Sequence, residues 1–168
     1  MTAWRASIIL AAALGLAGCG FQPLYNAGPS SEGVVGELQG ISIAEPDSRL
    51  AQLIRNDLLS SIRPAGSGPG DKYLLTMTAT SNEDTVIETR SVTETAREVV
   101  RVNVRFSLKR QGSGAAEYEG RTFSHVPFDT TGESFADLQA RTNALERAAH
   151  EVGLDIRTRL AAHFASRQ

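Results

Sequence analysis

One cysteine, three histidines and fifteen arginines set against two lysines are the residues of this chain from which chemistry would be built. The histidines, His125, His150 and His163, share no metal-ligand spacing with one another or with carboxylates. His150 and His163 fall 13 residues apart on one helical stretch, too far to hold a common ion, and Glu146 and Glu151 read as surface charges of the same stretch. There is no Gly-x-Ser-x-Gly elbow, no second cysteine and no dinucleotide-binding glycine run. The glycine-rich "PAGSGPGD" (64–71) continues into Lys72-Tyr73 without the Gly-Lys-Ser/Thr ending that a phosphate loop needs. The expectation is a protein without catalytic residues, cofactor or metal.

The cysteine has a different chemistry. Residues 1–18 carry one charge, Arg5, followed from Ala6 to Leu16 by a run that is Ala, Leu, Ile and Gly apart from Ser7. That run has the length of a signal-peptide core and is shorter than the ~20 apolar residues of a spanning helix. Leu16-Ala17-Gly18 then precede Cys19 directly, an arrangement that resembles the bacterial lipoprotein signal. The resemblance implies cleavage before Cys19 and acylation of its sulfur and amine. A thiolate alkylates readily enough to carry a thioether-linked lipid, and more than one acyl chain, at ~0.8 kcal/mol per buried methylene, anchors stably. Gly20 replaces the aspartate that commonly retains such proteins at the inner membrane, so the outer membrane is expected. Loss of residues 1–18 leaves 150 residues with 16 basic and 19 acidic side chains. A mildly acidic chain of that size suits one domain with a real core and argues against nucleic acid as a partner.

The arginines are concentrated where strands are expected. Val100, Val102, Val104, Phe106 and Leu108 alternate with Arg101, Asn103, Arg105, Ser107 and Lys109, so one strand face is apolar and the other basic. Arg97 and Arg121 are placed to neighbour that face across hairpins. Guanidinium matches phosphate oxygens in bidentate fashion. Arg97, Arg101, Arg105 and Arg121 are therefore either a site for an anionic amphiphile or a polar partner wall, or ordinary solvated side chains on an uncovered sheet face.

Other elements must position that face. Residues 19–33 read as lipidated terminus and tether, and 34–168 as a single domain. "VVGELQGISI" (34–43) is strand-like. Asp47 or Ser48 caps a helix that Pro64 stops after Arg63, with Leu50, Leu53, Ile54, Leu58, Ser61 and Ile62 on one side. Tyr73, Leu75, Met77 and Ala79 define a strand whose hairpin end lies in 81–98. "QGSGAA" (111–116) turns the next hairpin into a strand over Glu117–Pro127. A last helix runs from Ser134 to about Ala165, ~45 Å long, with Leu138, Leu145, Ala149, Val152, Ile156 and Leu160 as its buried stripe. Gly153 is a point where it would loosen, at about 1 kcal/mol. The expected fold is α+β: a single sheet of about four strands with two helices on one face, in the order β-α-β-β-β-α.

Cys19-Gly20-Phe21-Gln22-Pro23-Leu24-Tyr25 resembles the start of the LPS-assembly lipoprotein family, LptE, in which a lipobox runs into Gly-Phe-Gln/Arg-Pro-Leu-Tyr. The strand "RFSLKR" and the closing "FADLQARTNALERAAHEVGLDIRTRLAAHFA" extend the resemblance over most of the mature chain. Asn143, where the family helix more often carries an acid, and "FSHVPF", without the usual tyrosine, depart from it. The resemblance implies a non-enzymatic, membrane-anchored protein that plugs and supports the outer-membrane β-barrel LptD and binds lipopolysaccharide. It also implies Phe21, Pro23, Leu24 and Tyr25 as a barrel-contact segment and the four arginines as the lipopolysaccharide or partner contact. No sign of a homo-oligomer is present. The alternative is an auxiliary lipoprotein of an intermembrane lipid-transport system.

Overall fold

A computed structural model of the chain describes residues 29–63, 70–87 and 96–167. Cys19, the segment Phe21, Pro23, Leu24 and Tyr25, most of the 64–71 loop and the turn within 81–98 lie outside the described residues. The elements are α1 (Pro29–Gln39), β1 (Ile41–Ile43), α2 (Arg49–Ile62), β2 (Tyr73–Ile87), β3 (Ala96–Arg110), β4 (Ala116–Thr130) and α3 (Ser134–Ala165). They form one four-stranded mixed sheet in the order β1-β2-β3-β4. β1 runs parallel to β2, and the remaining pairs are antiparallel. The α+β class and the single sheet are as expected; a third helix is added.

That helix is the main correction to the sequence reading. The strand expected over 34–43 is α1 as far as Gln39, and only Ile41–Ile43 pairs as a strand. It also begins at Pro29, inside the stretch read as tether. Val34 and Leu38, four residues apart, are 4% and 3% exposed and join the core cluster. Burying both on one helical face outweighs the β preference of the Val34-Val35 pair.

Three strands of 15 residues each need a long cover, and α3 supplies it with 32. At about 3.4 Å per strand residue and 1.5 Å per helix residue the two spans are both roughly 50 Å. Helix α3 runs antiparallel to β4: Arg147 reaches Pro127, Glu151 accepts from Ser124, and His163 stacks on Tyr118. Its start is held by the Asp137 carboxylate, which accepts from the Thr131 N–H at 2.7 Å and the Gly132 N–H at 3.1 Å. Gly132 there has φ +82°, a conformation that favours glycine. Helix α2 is capped by Ser48, whose hydroxyl accepts from the Ala51 N–H at 3.2 Å, worth about 1 kcal/mol.

Both α2 and α3 pack on the apolar side of the sheet, where Leu75, Val100, Val102, Val104 and Leu108 are at most 1% exposed. Leu138, expected in the α3 stripe, is instead 53% exposed. Gly153 meets Asp57 near the middle of α2, and Leu138 stands 15 residues before it. That is about 22 Å along α3, whereas α2 extends only ~12 Å beyond Asp57. Among the described residues the first turns of α3 therefore have no helix beside them.

Helix α3 continues unbroken through Gly153. The glycine serves close approach: a Cβ there would lie 2.6 Å from Asp57 Oδ2. The other Asp57 oxygen meets His150 Nδ1 at 2.8 Å, so the carboxylate is fixed between the helices. At the far end, Glu117 accepts from Arg110 Nε at 2.8 Å and Arg167 at 2.7 Å, joining the β3–β4 hairpin to the C-terminal turn. The Arg110 hydrogen bond holds the Glu117 carboxyl below its ordinary value. Burial pushes His163 in the same direction.

Two outcomes are expected. Gly153→Val forces the Asp57 carboxylate aside and lowers unfolding free energy by about 1–3 kcal/mol in a urea titration. In a pH series, Glu117 has a folded pKa below its unfolded one, so its contribution is complete above the ordinary 4.5 and lost as pH falls through the folded value. His163, also depressed, costs stability as pH falls below its ordinary 6.5. Stability declines in both steps on acidification, and His163→Gln removes the upper one.

Candidate functional site on the open face of the sheet

Among the described residues no three His, Cys, Asp or Glu side chains are grouped to hold a metal ion. His125 sits on the open face, its ring 5.2 Å from that of Phe123. His150 is held by Asp57 and His163 is packed on Tyr118.

Among the described residues no element covers the face opposite the helices. β2 contributes Thr76, Thr78, Thr80 and Asn82; β3 contributes Arg97, Arg101, Asn103, Arg105, Ser107 and Lys109; β4 contributes Glu119, Arg121, Phe123, His125 and Asp129. The alternation of β3 places them there, since the even-numbered residues Val100 to Leu108 are drawn into the core.

The four arginines divide into two kinds. Arg97 lies opposite Asp129 and grips it with two bonds, Nε to Oδ1 at 2.8 Å and a second nitrogen to Oδ2 at 3.2 Å. That hydrogen-bonded pairing lowers the Asp129 pKa and raises that of Arg97. Arg101 meets Asp84 of β2 at 3.0 Å. Both charges are compensated within the fold.

Arg105 and Arg121 are not. They occupy directly opposed positions of β3 and β4, and among the described residues neither makes an ion pair or hydrogen bond. Like charges directly opposite on a sheet destabilise it. The two guanidiniums flank a hollow of about 450 Å³ with Thr76, Thr78, Ser107 and Glu119 around it. On the opposite, core side of the same strands Gly120 makes room for the Phe106 ring; a Cβ would lie 2.4 Å from that ring. Ser107 Oγ is buried with no hydrogen-bond partner. Two guanidiniums against the single carboxylate of Glu119 leave the hollow net positive, and such a site can take an anion with several acceptor oxygens.

Sequence reasoning named both arginines but not their pairing, which depends on the bulge between Leu108 and Lys109. It also passed over Phe123, which is 67% exposed beside Arg121. The signal for Phe123 is the phase of β4: Thr122 and Ser124 are 5% and 4% exposed, so the aromatic residue between them must face out.

No protein-family model matches the sequence, and no curated protein matches it. Solved structures do resemble it. A protein of Caulobacter crescentus named as a lipoprotein superposes with a TM-score of 0.66 at 24% identity, covering 80% of this chain and 97% of that one. A minor lipoprotein of Acinetobacter baumannii gives a TM-score of 0.54 at 12% identity, over 73% and 90% of the two chains. These likenesses establish the fold.

The opposed arginines generate a stability test. Arg121→Glu places opposite charges across β3 and β4, and is expected to raise unfolding free energy by about 0.2–1 kcal/mol at low salt. The gain shrinks as salt screens the pair.

Proposed function

We propose that this chain is a non-enzymatic outer-membrane lipoprotein of lipopolysaccharide transport, anchored by acyl chains on Cys19. In this reading it occupies the lumen of the LptD β-barrel as plug and assembly support, and touches lipopolysaccharide through the open sheet face. The observation that carries it is the uncompensated pair Arg105 and Arg121 over a hollow with an unsatisfied Ser107 hydroxyl. Lipopolysaccharide offers phosphates, which guanidinium forks bind well.

Three further features support the reading. Apart from Phe123, the open face is built mainly from Thr, Ser, Asn, His and charged residues, a composition suited to the polar interior of a membrane barrel. Two proteins with the same fold carry the name lipoprotein, in agreement with the Leu-Ala-Gly-Cys arrangement at Cys19. The segment after the cysteine is the part of the sequence most like the LptE family, and its Phe21, Pro23, Leu24 and Tyr25 are too apolar for a simple tether.

The test uses the lipidated protein and purified lipopolysaccharide. Hydrogen bonds to charged groups contribute about 1.5–3 kcal/mol each, so Arg105→Ala with Arg121→Ala lowers affinity at least ~10-fold. Arg97→Ala, whose guanidinium already serves Asp129, changes it little. Equal affinity of the double variant and the parent would remove the lipopolysaccharide contact from the proposal. Tagged protein drawn from detergent-solubilised outer membranes should bring a large β-barrel in equal amount. Transporter components in its place would favour the intermembrane lipid-transport reading.

A further inference from the structure

The two edges of the sheet are treated differently. At the β4 edge, Pro127 supplies no N–H and its carbonyl is taken by Arg147 at 3.2 Å. Glu119, Arg121 and Asp129 add charge along the same strand. Proline, charge and a covering side chain are the ordinary means of blocking an edge.

The β2 edge carries none of these between Met77 and Asn82. β1 fills the lane beside β2 for only three residues, Ile41–Ile43. The Tyr73 N–H donates to Gly40 at 3.1 Å and the Leu75 carbonyl accepts from the Ala44 N–H at 2.9 Å, so the backbone groups of Tyr73 and Leu75 point into that lane. β2 keeps an unbroken register with β3 from Tyr73 to Thr85. Backbone direction alternates along a strand, so the N–H and C=O groups of Met77, Ala79, Ser81 and Glu83 point into the same lane above Ala44. Among the described residues no strand lies there.

The lane also has an apolar side. Met77 and Ala79 are half-buried and pack against the core, as do Leu50 and Leu53 of α2. On the solvent side stand Thr78, Thr80 and Asn82, neutral and exposed. A chain entering the lane would find backbone partners at every second residue; on one side it would meet Met77 and Ala79, then Ser81 and Glu83, the latter paired with Arg141, and on the other neutral hydroxyls and an amide. That pattern selects an extended segment that alternates β-branched apolar with small polar residues, with no charge along its middle.

We infer that residues 77–83 of β2 form a strand-addition site, which continues the lane of β1 and receives an extended segment of a partner polypeptide. The site is separate from the arginine hollow and goes beyond the lipopolysaccharide reading. It would bind by the same main-chain bonds whichever partner supplies the segment.

The test uses the full mature chain in detergent and a blocked nonapeptide, alternating Val and Thr with a Lys at each end, at millimolar concentration. Amide hydrogen exchange is read residue by residue. Addition of the peptide is expected to slow exchange at Met77, Ala79 and Ser81 at least ~10-fold, a change of about 1.4 kcal/mol in the opening equilibrium. Thr76, Thr78 and Thr80, whose amides serve β3, stay as protected as before. Ala79→Pro and Ser81→Pro remove lane-facing donors that the folded chain does not use, so both variants fold and lose the peptide effect. Thr80→Pro, which removes a bond to β3, is strongly destabilised. Unchanged exchange at Met77, Ala79 and Ser81, or protection on β4 in their place, overturns the inference. So does unfolding of both Ala79→Pro and Ser81→Pro, because their amides would then already be engaged. No barrel or lipopolysaccharide enters the assay, so either result leaves the proposed function untouched.

Discussion

Along β3, Val100, Val102, Val104, Phe106 and Leu108 are at most 3% exposed while Arg101, Asn103 and Arg105 stand in solvent, and a one-residue slip would reverse every one of them. This asymmetry is the constraint the rest of the molecule answers to. A central strand paired on both sides along most of its length carries its two-sided pattern into β2 and β4 through register. The apolar side then needs a cover of matching length, which α3 provides along β4 and β3 while α2 and α1 fill beside it. The opposite side is left to polar residues. The open face and the core are two consequences of one alternation.

Charge on the molecule is arranged around that division. Most arginines with a structural task are paired: Arg97 with Asp129, Arg110 and Arg167 with Glu117, Arg141 with Glu83, Arg159 with Asp155. Exposed pairs of this sort are each worth ~1 kcal/mol at most, so their significance lies less in stability than in what they leave over. Compensation at both ends of the sheet makes the uncompensated middle, Arg105 opposite Arg121, stand apart. A high count of guanidiniums does not by itself place two of them face to face beside an unsatisfied hydroxyl.

Where the pattern in the sequence is periodic over many residues, the fold was legible. The β3 alternation, the α2 apolar face with its Ser48 cap, the Gly112 turn and the limits of α3 all follow from local chemistry, because burial there merely reinforces what neighbours already prefer. Three features were not legible, each decided by a distant element. Val34-Val35 reads as strand, yet the core draws Val34 and Leu38 into a helix. Leu138 fits the α3 stripe by spacing, but α2 is too short to meet it. Gly153 looks like a weak point and is instead where Asp57 passes. The candidate site lay between these cases: its residues were legible from alternation, whereas the pairing of Arg105 with Arg121 needed the bulge after Leu108.

The ends of the molecule are unlike, and this bears on how its surfaces are presented. Gly33, Glu37, Tyr73, Arg110, Phe164 and Arg167 line one hollow, so α1, the start of β2, the end of β3 and the end of α3 meet at a single pole. In the proposed reading an anchor at Cys19, ten residues ahead of Pro29, lies within about 35 Å of the start of α1. The opposite pole, where α3 begins with exposed Phe135 and Leu138, lies across strands about 50 Å long. The arginine face and the β2 edge run lengthwise between the two poles. Those two surfaces lie on adjoining sides of the same strands, one offering charge and the other backbone groups. A single partner enclosing the body could meet both at once, which a flat surface could not do.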